Sequence, residues 1–127
     1  AVLLLAERLP QLVYVIVGKG REEQRLKGLA KDLGIGERVI FTGFVADGAL
    51  PDYYRLCDVF ALPNRETEDN EQMRGDYEGF GVVFLEASAC GKPVIAGKSG
   101  GSCEAVVDGV TGLLVDPKSD RDIAHAI

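Results

Sequence analysis

Residues 77–101 read Y-E-G-F-G-V-V-F-L-E-A-S-A-C-G-K-P-V-I-A-G-K-S-G-G, from Tyr77 to Gly101. Gly79 and Gly81 open the stretch, and the nearly unbroken apolar run behind them predicts a helix from about Val82 to Cys90. Gly91 stands just past its end and Pro93 forbids continuation. Val94-Ile95-Ala96 then predicts a short buried strand, followed by a second turn over Gly97 to Gly101. The only charge in the predicted helix is Glu86. A helix apolar on nearly every face is normally a core helix, and a carboxylate there needs a hydrogen-bond partner. Glu86 therefore meets a protein donor, or points at a ligand. Eight residues earlier, in the loop before the helix, stands Glu78.

The same alternation extends outward in both directions. Residues 1 to 9 predict the tail of an amphipathic helix ended by Pro10. Leu12 to Val17 is a continuous β-branched run that predicts a strand buried on both faces, and Gly18-Lys19-Gly20 is its turn. A helix follows from Arg21 to Leu33, closed by Gly34. Val39-Ile40-Phe41 predicts a strand, Leu50 to Leu56 a short helix, and Val59 to Leu62 a strand stopped by Pro63. Beyond the central stretch, Ser102 is placed to cap a short helix reaching Val107. Leu113-Leu114-Val115 predicts a last strand, and a closing helix starts at Ser119. Strands alternating with helices predict an α/β fold, a Rossmann-like parallel sheet with helices on both faces, in a single domain over residues 1–127. The one long irregular segment, Asn64 to Glu78, is crowded with charges, as a functional loop or a solvated one would be.

Bulk properties narrow the function. A net charge of −6 gives nucleic-acid binding no electrostatic support. No apolar run reaches the ~18 residues that a membrane span needs. Cys57, Cys90 and Cys103 lie far apart without a C-x-x-C pair, as expected of buried thiols in a reducing cytosol. The lone His125 fits a surface helix. There is no His/Cys ligand cluster to hold a metal. Gly18 and Gly20 are followed by Glu23 rather than a third glycine, which argues against a dinucleotide oxidoreductase.

In an open α/β sheet, ligands sit beyond the carboxyl ends of the strands. The loops after Val17, Phe41, Leu62 and Ala96 should therefore line one rim. Gly18-Lys19-Gly20 suits a phosphate-bordering loop and equally a plain tight turn. Phe44 and Val45 follow a strand end and suit either a ligand edge or the core. Phe80, Gly81 and Val82 begin the central helix, whose free N–H groups and positive dipole end attract an anion.

The nested pattern E-G-F-G-x-x-x-x-E-A-x-A-x-G-x-P-V-I-A, with S-G-G and D-G-V-T-G-L-L-V in order behind it, resembles the C-terminal domain of the family 4 retaining glycosyltransferases of GT-B architecture. The phosphatidylinositol mannosyltransferase branch is the most similar. The resemblance implies the donor-nucleotide-binding half of a hexosyltransferase. Its donor would be a nucleoside-diphosphate sugar, GDP-mannose first and UDP-sugars second, with no metal and no further cofactor. It implies that Glu86 accepts both ribose hydroxyls and that Glu78 is the catalytic carboxylate touching the donor sugar. Gly18, Gly20, Phe80, Gly81 and Val82 would border the phosphates or base, and the backbone at Phe44 and Val45 would meet the nucleobase. The family's acceptor site, its reacting-centre histidine and its phosphate-clamping Arg and Lys fall upstream of Ala1. The chain is thus expected to be a fragment inactive alone, cytoplasmic or at the inner face of the membrane through the missing N-terminal domain. A non-catalytic nucleotide- or partner-binding domain on the same fold stays open.

Overall fold

The computed structural model describes residues 1–64 and 81–127. The chain divides into two compact units, Ala1–Leu50 and Pro51–Ile127.

The first unit opens with α1 (Val2–Arg8), which ends at Leu9 just before Pro10. The Arg38 guanidinium donates to the carbonyls of Leu9, Pro10 and Leu12, tying the loop behind α1 to the start of β2. Strand β1 (Tyr14–Ile16) runs parallel to β2 (Val39–Phe41), with Val15 opposite Ile40. Their crossover is α2 (Glu23–Asp32), since parallel neighbours need a long connection. The Lys27 ammonium on α2 stands 5.4 Å from the centroid of the Phe41 ring, which places α2 over that face of the sheet. The expected burial of this strand on both faces does not hold. Val13 is 54% exposed and Ile40 49%. Both project to the face opposite Phe41, because side chains alternate along a strand; on Phe41's own face Tyr14 is 38% exposed, so a two-stranded sheet with one crossover helix encloses neither face fully.

In the second unit, α3 (Leu50–Leu56) leads to β3 (Phe60–Leu62). Then come α4 (Val82–Ala89), β4 (Val94–Gly97), α5 (Ser102–Ala105), β5 (Leu113–Val115) and α6 (Asp120–Ala126). The strands are parallel in the order β3-β4-β5. All four residues of the central strand β4 are buried, as its apolar run predicts. Around it pack Tyr54, Phe84, Ala87, Val106, Val115 and Ile123. Gly97 admits no side chain, because a Cβ there would lie 2.2 Å from the carbonyl oxygen of Asn64. Two local expectations shift. Ser102 is not the cap of α5: Gly101 holds that position, and Ser102 is the first helical residue, with its side chain buried. On α6, Ser119 caps as a serine should, its Oγ accepting from the Asp122 N–H at 3.1 Å. No described helix is long and apolar enough to cross a membrane.

Candidate functional site

In the first unit the loops beyond β1 and β2 are tied together. The Gly18 N–H donates to the Gly43 carbonyl at 3.0 Å, and Thr42 Oγ1 accepts from the same N–H at 3.3 Å. This bridge carries Gly18 to the loop that holds Phe44 and Val45. Phe44 is 76% exposed, so it is not a core residue; Val45 is half-buried and Gly20 exposed. The apolar Phe44 ring stands in solvent beside two backbone turns.

In the second unit the central helix starts on a glycine in the left-handed conformation. Gly81 sits at the N-cap of α4 with φ 63°. That left-handed conformation is routine only for glycine. It is also jammed: a Cβ on Gly81 would lie 2.8 Å from Cδ2 of Phe84 and 3.0 Å from Cβ of Ala105. The glycine thus lets the first turn of α4 close against α5. The Phe84 N–H donates back to the Gly81 carbonyl at 2.9 Å. The N–H groups of Val82 and Val83, ahead of it, have no acceptor within the helix. No side chain caps this helix among the described residues. Val82, beside that amino end, is 55% exposed.

One turn on, the expectation of a helix buried all round is corrected. Phe84 and Ala87 are buried, but Leu85 is 53% exposed, and Glu86 shares that outward side. Among the described elements, β4 and α5 make the main contacts with α4. Glu86 has solvent access and does not have to bury its charge. Its carboxylate has a protein donor nonetheless: the Tyr54 hydroxyl donates to Glu86 Oε2 at 2.8 Å. Four residues separate Glu86 from Val82, roughly 6 Å along the axis. An anion at the helix start and a hydroxyl donor at Glu86 would thus be one short span apart.

These features can be set beside known proteins. The model of the family described as glycosyl transferases group 1 matches residues 1–127. The chain belongs to that family. Among its relatives, the GDP-mannose-dependent alpha-(1-6)-phosphatidylinositol monomannoside mannosyltransferase of Mycolicibacterium smegmatis is 46% identical over 126 residues, which is 97% of this chain and 31% of that protein. HepE of Anabaena, solved with UDP-glucose, superposes with a TM-score of 0.78 at 35% identity, over 95% of this chain and 31% of HepE. The C-terminal domain of a Francisella tularensis group 1 glycosyltransferase, LpcC, gives 0.77 at 32%, over 97% of this chain and 60% of that one. The α/β fold of parallel sheets flanked by helices is accordingly that of the C-terminal half of a GT-B glycosyltransferase, as the glycine and glutamate pattern implied. The chain spans about a third of the length of the mycobacterial relative.

Of the residues singled out in the sequence, Gly18, Gly20, Phe44 and Val45 lie in the first unit, and Gly81, Val82 and Glu86 in the second. Glu78 and Phe80 lie outside the described residues, as does most of the acidic loop. No group of His, Cys, Asp and Glu suited to a metal occurs among the described residues. Sequence reasoning missed Tyr54. A signal was available: Tyr54 falls four residues after Leu50, one helical turn along α3, and a buried tyrosine hydroxyl usually has a partner.

Proposed function

We propose that this chain is the donor-binding half of a retaining hexosyltransferase. It holds a nucleoside-diphosphate sugar, GDP-mannose in preference to a UDP-sugar, while an upstream domain binds the acceptor. The observation that carries the proposal is the pairing on α4 of an amino end without a side-chain cap among the described residues, exposed at Val82, with an exposed carboxylate at Glu86. The helix start suits the diphosphate, since free N–H groups and the dipole both favour an anion. The carboxylate suits the ribose, because it accepts two hydroxyl donors at once. The names of the relatives lend support: the mycobacterial enzyme is described as GDP-mannose-dependent, and HepE was solved with UDP-glucose.

On this reading the backbone at Phe44 and Val45 meets the nucleobase, and Gly18 and Gly20 border the donor. Glu78 faces the sugar as the catalytic carboxylate. The leaving diphosphate is stabilised by the start of α4 and by cationic side chains upstream of Ala1, with no metal. The residues of this chain alone then transfer no sugar. The enzyme works in the cytoplasm, or at the inner membrane face through its other domain.

Calorimetric titration of the intact protein with GDP, UDP, ADP and NAD tests the proposal. GDP should bind most tightly. Glu86→Ala should weaken it roughly 10- to 100-fold, the value of a hydrogen bond to a charged group. Equal or absent binding of all four ligands would overturn it.

A further inference from the structure

We infer that Tyr54 is a positioning residue for Glu86, holding that carboxylate in the orientation in which it accepts ribose hydroxyls; the inference rests on the ribose-binding reading of Glu86 above. An exposed glutamate on a helix samples several rotamers. Glu86 is exposed, yet one of its oxygens is tethered to a group that cannot wander. Tyr54 is 7% exposed. Its ring meets Phe60 edge to face at 5.3 Å, and Phe60 meets Phe84 in the same manner at 6.0 Å. Phe84 is itself 2% exposed and sits on α4 two residues before Glu86. The aromatic row thus fixes the Tyr54 ring relative to the helix that carries the glutamate. Its hydroxyl then donates to Oε2 at 2.8 Å, the usual length of an O–H···O hydrogen bond.

A carboxylate has about four lone-pair positions. One donor on Oε2 leaves room for two hydroxyls, and it selects which edge of the carboxylate faces outward. Preorganisation of this kind strengthens binding by removing the ordering cost from the binding step. The simpler alternative is that the bond does no more than satisfy the buried Tyr54 hydroxyl. The two differ in one respect: a bond that only satisfies Tyr54 has no bearing on how the protein tells ribose from deoxyribose.

The test measures dissociation constants of the intact protein for GDP and 2′-deoxy-GDP, with UDP and 2′-deoxy-UDP as a second pair. Glu86→Ala should abolish the preference for the ribo form. Tyr54→Phe keeps the ring and its packing; it should weaken GDP roughly 2- to 10-fold, the range of a net hydrogen bond, and change 2′-deoxy-GDP less. If Tyr54→Phe keeps the wild-type ribo-to-deoxy ratio while Glu86→Ala loses it, Tyr54 is structural only and the inference fails. If Glu86→Ala itself keeps the ratio, the ribose reading of Glu86 falls and the positioning role with it. Should Tyr54→Phe not fold, 3-fluorotyrosine introduced at position 54 alters the donor strength of the hydroxyl alone, and an unchanged ratio would likewise overturn the inference.

Discussion

Replacing Gly81 with alanine tests how the central helix is seated. Gly81 has φ 63°, and holding an L-residue there costs about 1–2 kcal/mol. The new Cβ would also stand 2.8 Å from the Phe84 ring and 3.0 Å from Cβ of Ala105. Neither neighbour can yield cheaply. The ring is buried against Phe60, and the methyl belongs to the backbone-bound side chain of α5. Overpacking of this kind costs about 1–3 kcal/mol. Stiffening of the unfolded chain returns about 0.4–1 kcal/mol, leaving a net destabilisation of about 1.5–4 kcal/mol. Hydrogen exchange of the α4 and β4 amides in the intact protein reads this locally. It should quicken roughly 10- to 1000-fold, at a factor of ten for each 1.4 kcal/mol. Adding Phe84→Leu should recover part of the loss, a coupling of roughly 0.5–3 kcal/mol for residues in contact. Exchange in Gly81→Ala at the wild-type rate would refute both the strain and the clash.

The two glutamates should separate kinetically. Glu78→Gln should lower kcat by roughly 10-fold or more while leaving affinity for the free nucleoside diphosphate nearly unchanged, whereas Glu86→Gln should weaken the nucleotide first; full kcat in Glu78→Gln would remove Glu78 from the chemistry. Sugar transfer by the intact enzyme should persist in excess chelator, and complete loss restored by Mg²⁺ or Mn²⁺ would contradict metal-free leaving-group stabilisation. Burial pushes the Cys57 thiol above its ordinary value of 9.0, against a smaller downward pull from Lys92. Because the folded value is raised, the resulting stability is present below about pH 9 and is lost as pH climbs through the raised value. Iodoacetamide at pH 8 should accordingly modify exposed Cys103 well before Cys57; equal rates would show that Cys57 is not shielded.

Much of the fold could be read from local rules. The bounds of α3 and β5 are those expected, Leu50–Leu56 and Leu113–Val115, and those of β5 follow from its apolar run. Gly34 and Gly91 stop α2 and α4 with positive φ, as glycines just past a helix do. What could not be read was the extent of cover. Leu12 to Val17 is apolar enough for a strand enclosed on both sides, but enclosure depends on which elements pack there, and β-branched composition is silent on that. The same holds for α4, whose uniform apolarity conceals which side meets β4 and α5. At the site, the start of α4 and the place of Glu86 on it could be read because they are local in sequence; Glu78 lies outside the described residues. The partner of Glu86 could not be read. Tyr54 lies 32 residues away, and the pairing exists only because β3 brings Phe60 between α3 and α4.

The place of β4 in the middle of its sheet has a consequence for biosynthesis. Its neighbour β3 precedes it in the chain, but β5 begins only at Leu113, 16 residues after β4 ends at Gly97. At about 5–20 residues per second, the interval between the two lasts roughly 1–3 s on the ribosome. Throughout it, Val94, Ile95 and Ala96 would present a bare apolar edge with unpaired backbone groups, the template on which strands of other nascent chains add. A polypeptide released before Leu113 keeps that edge for good. Expression of such a shortened chain should send it to the insoluble fraction, while extension past Val115 should restore solubility by closing the edge with β5.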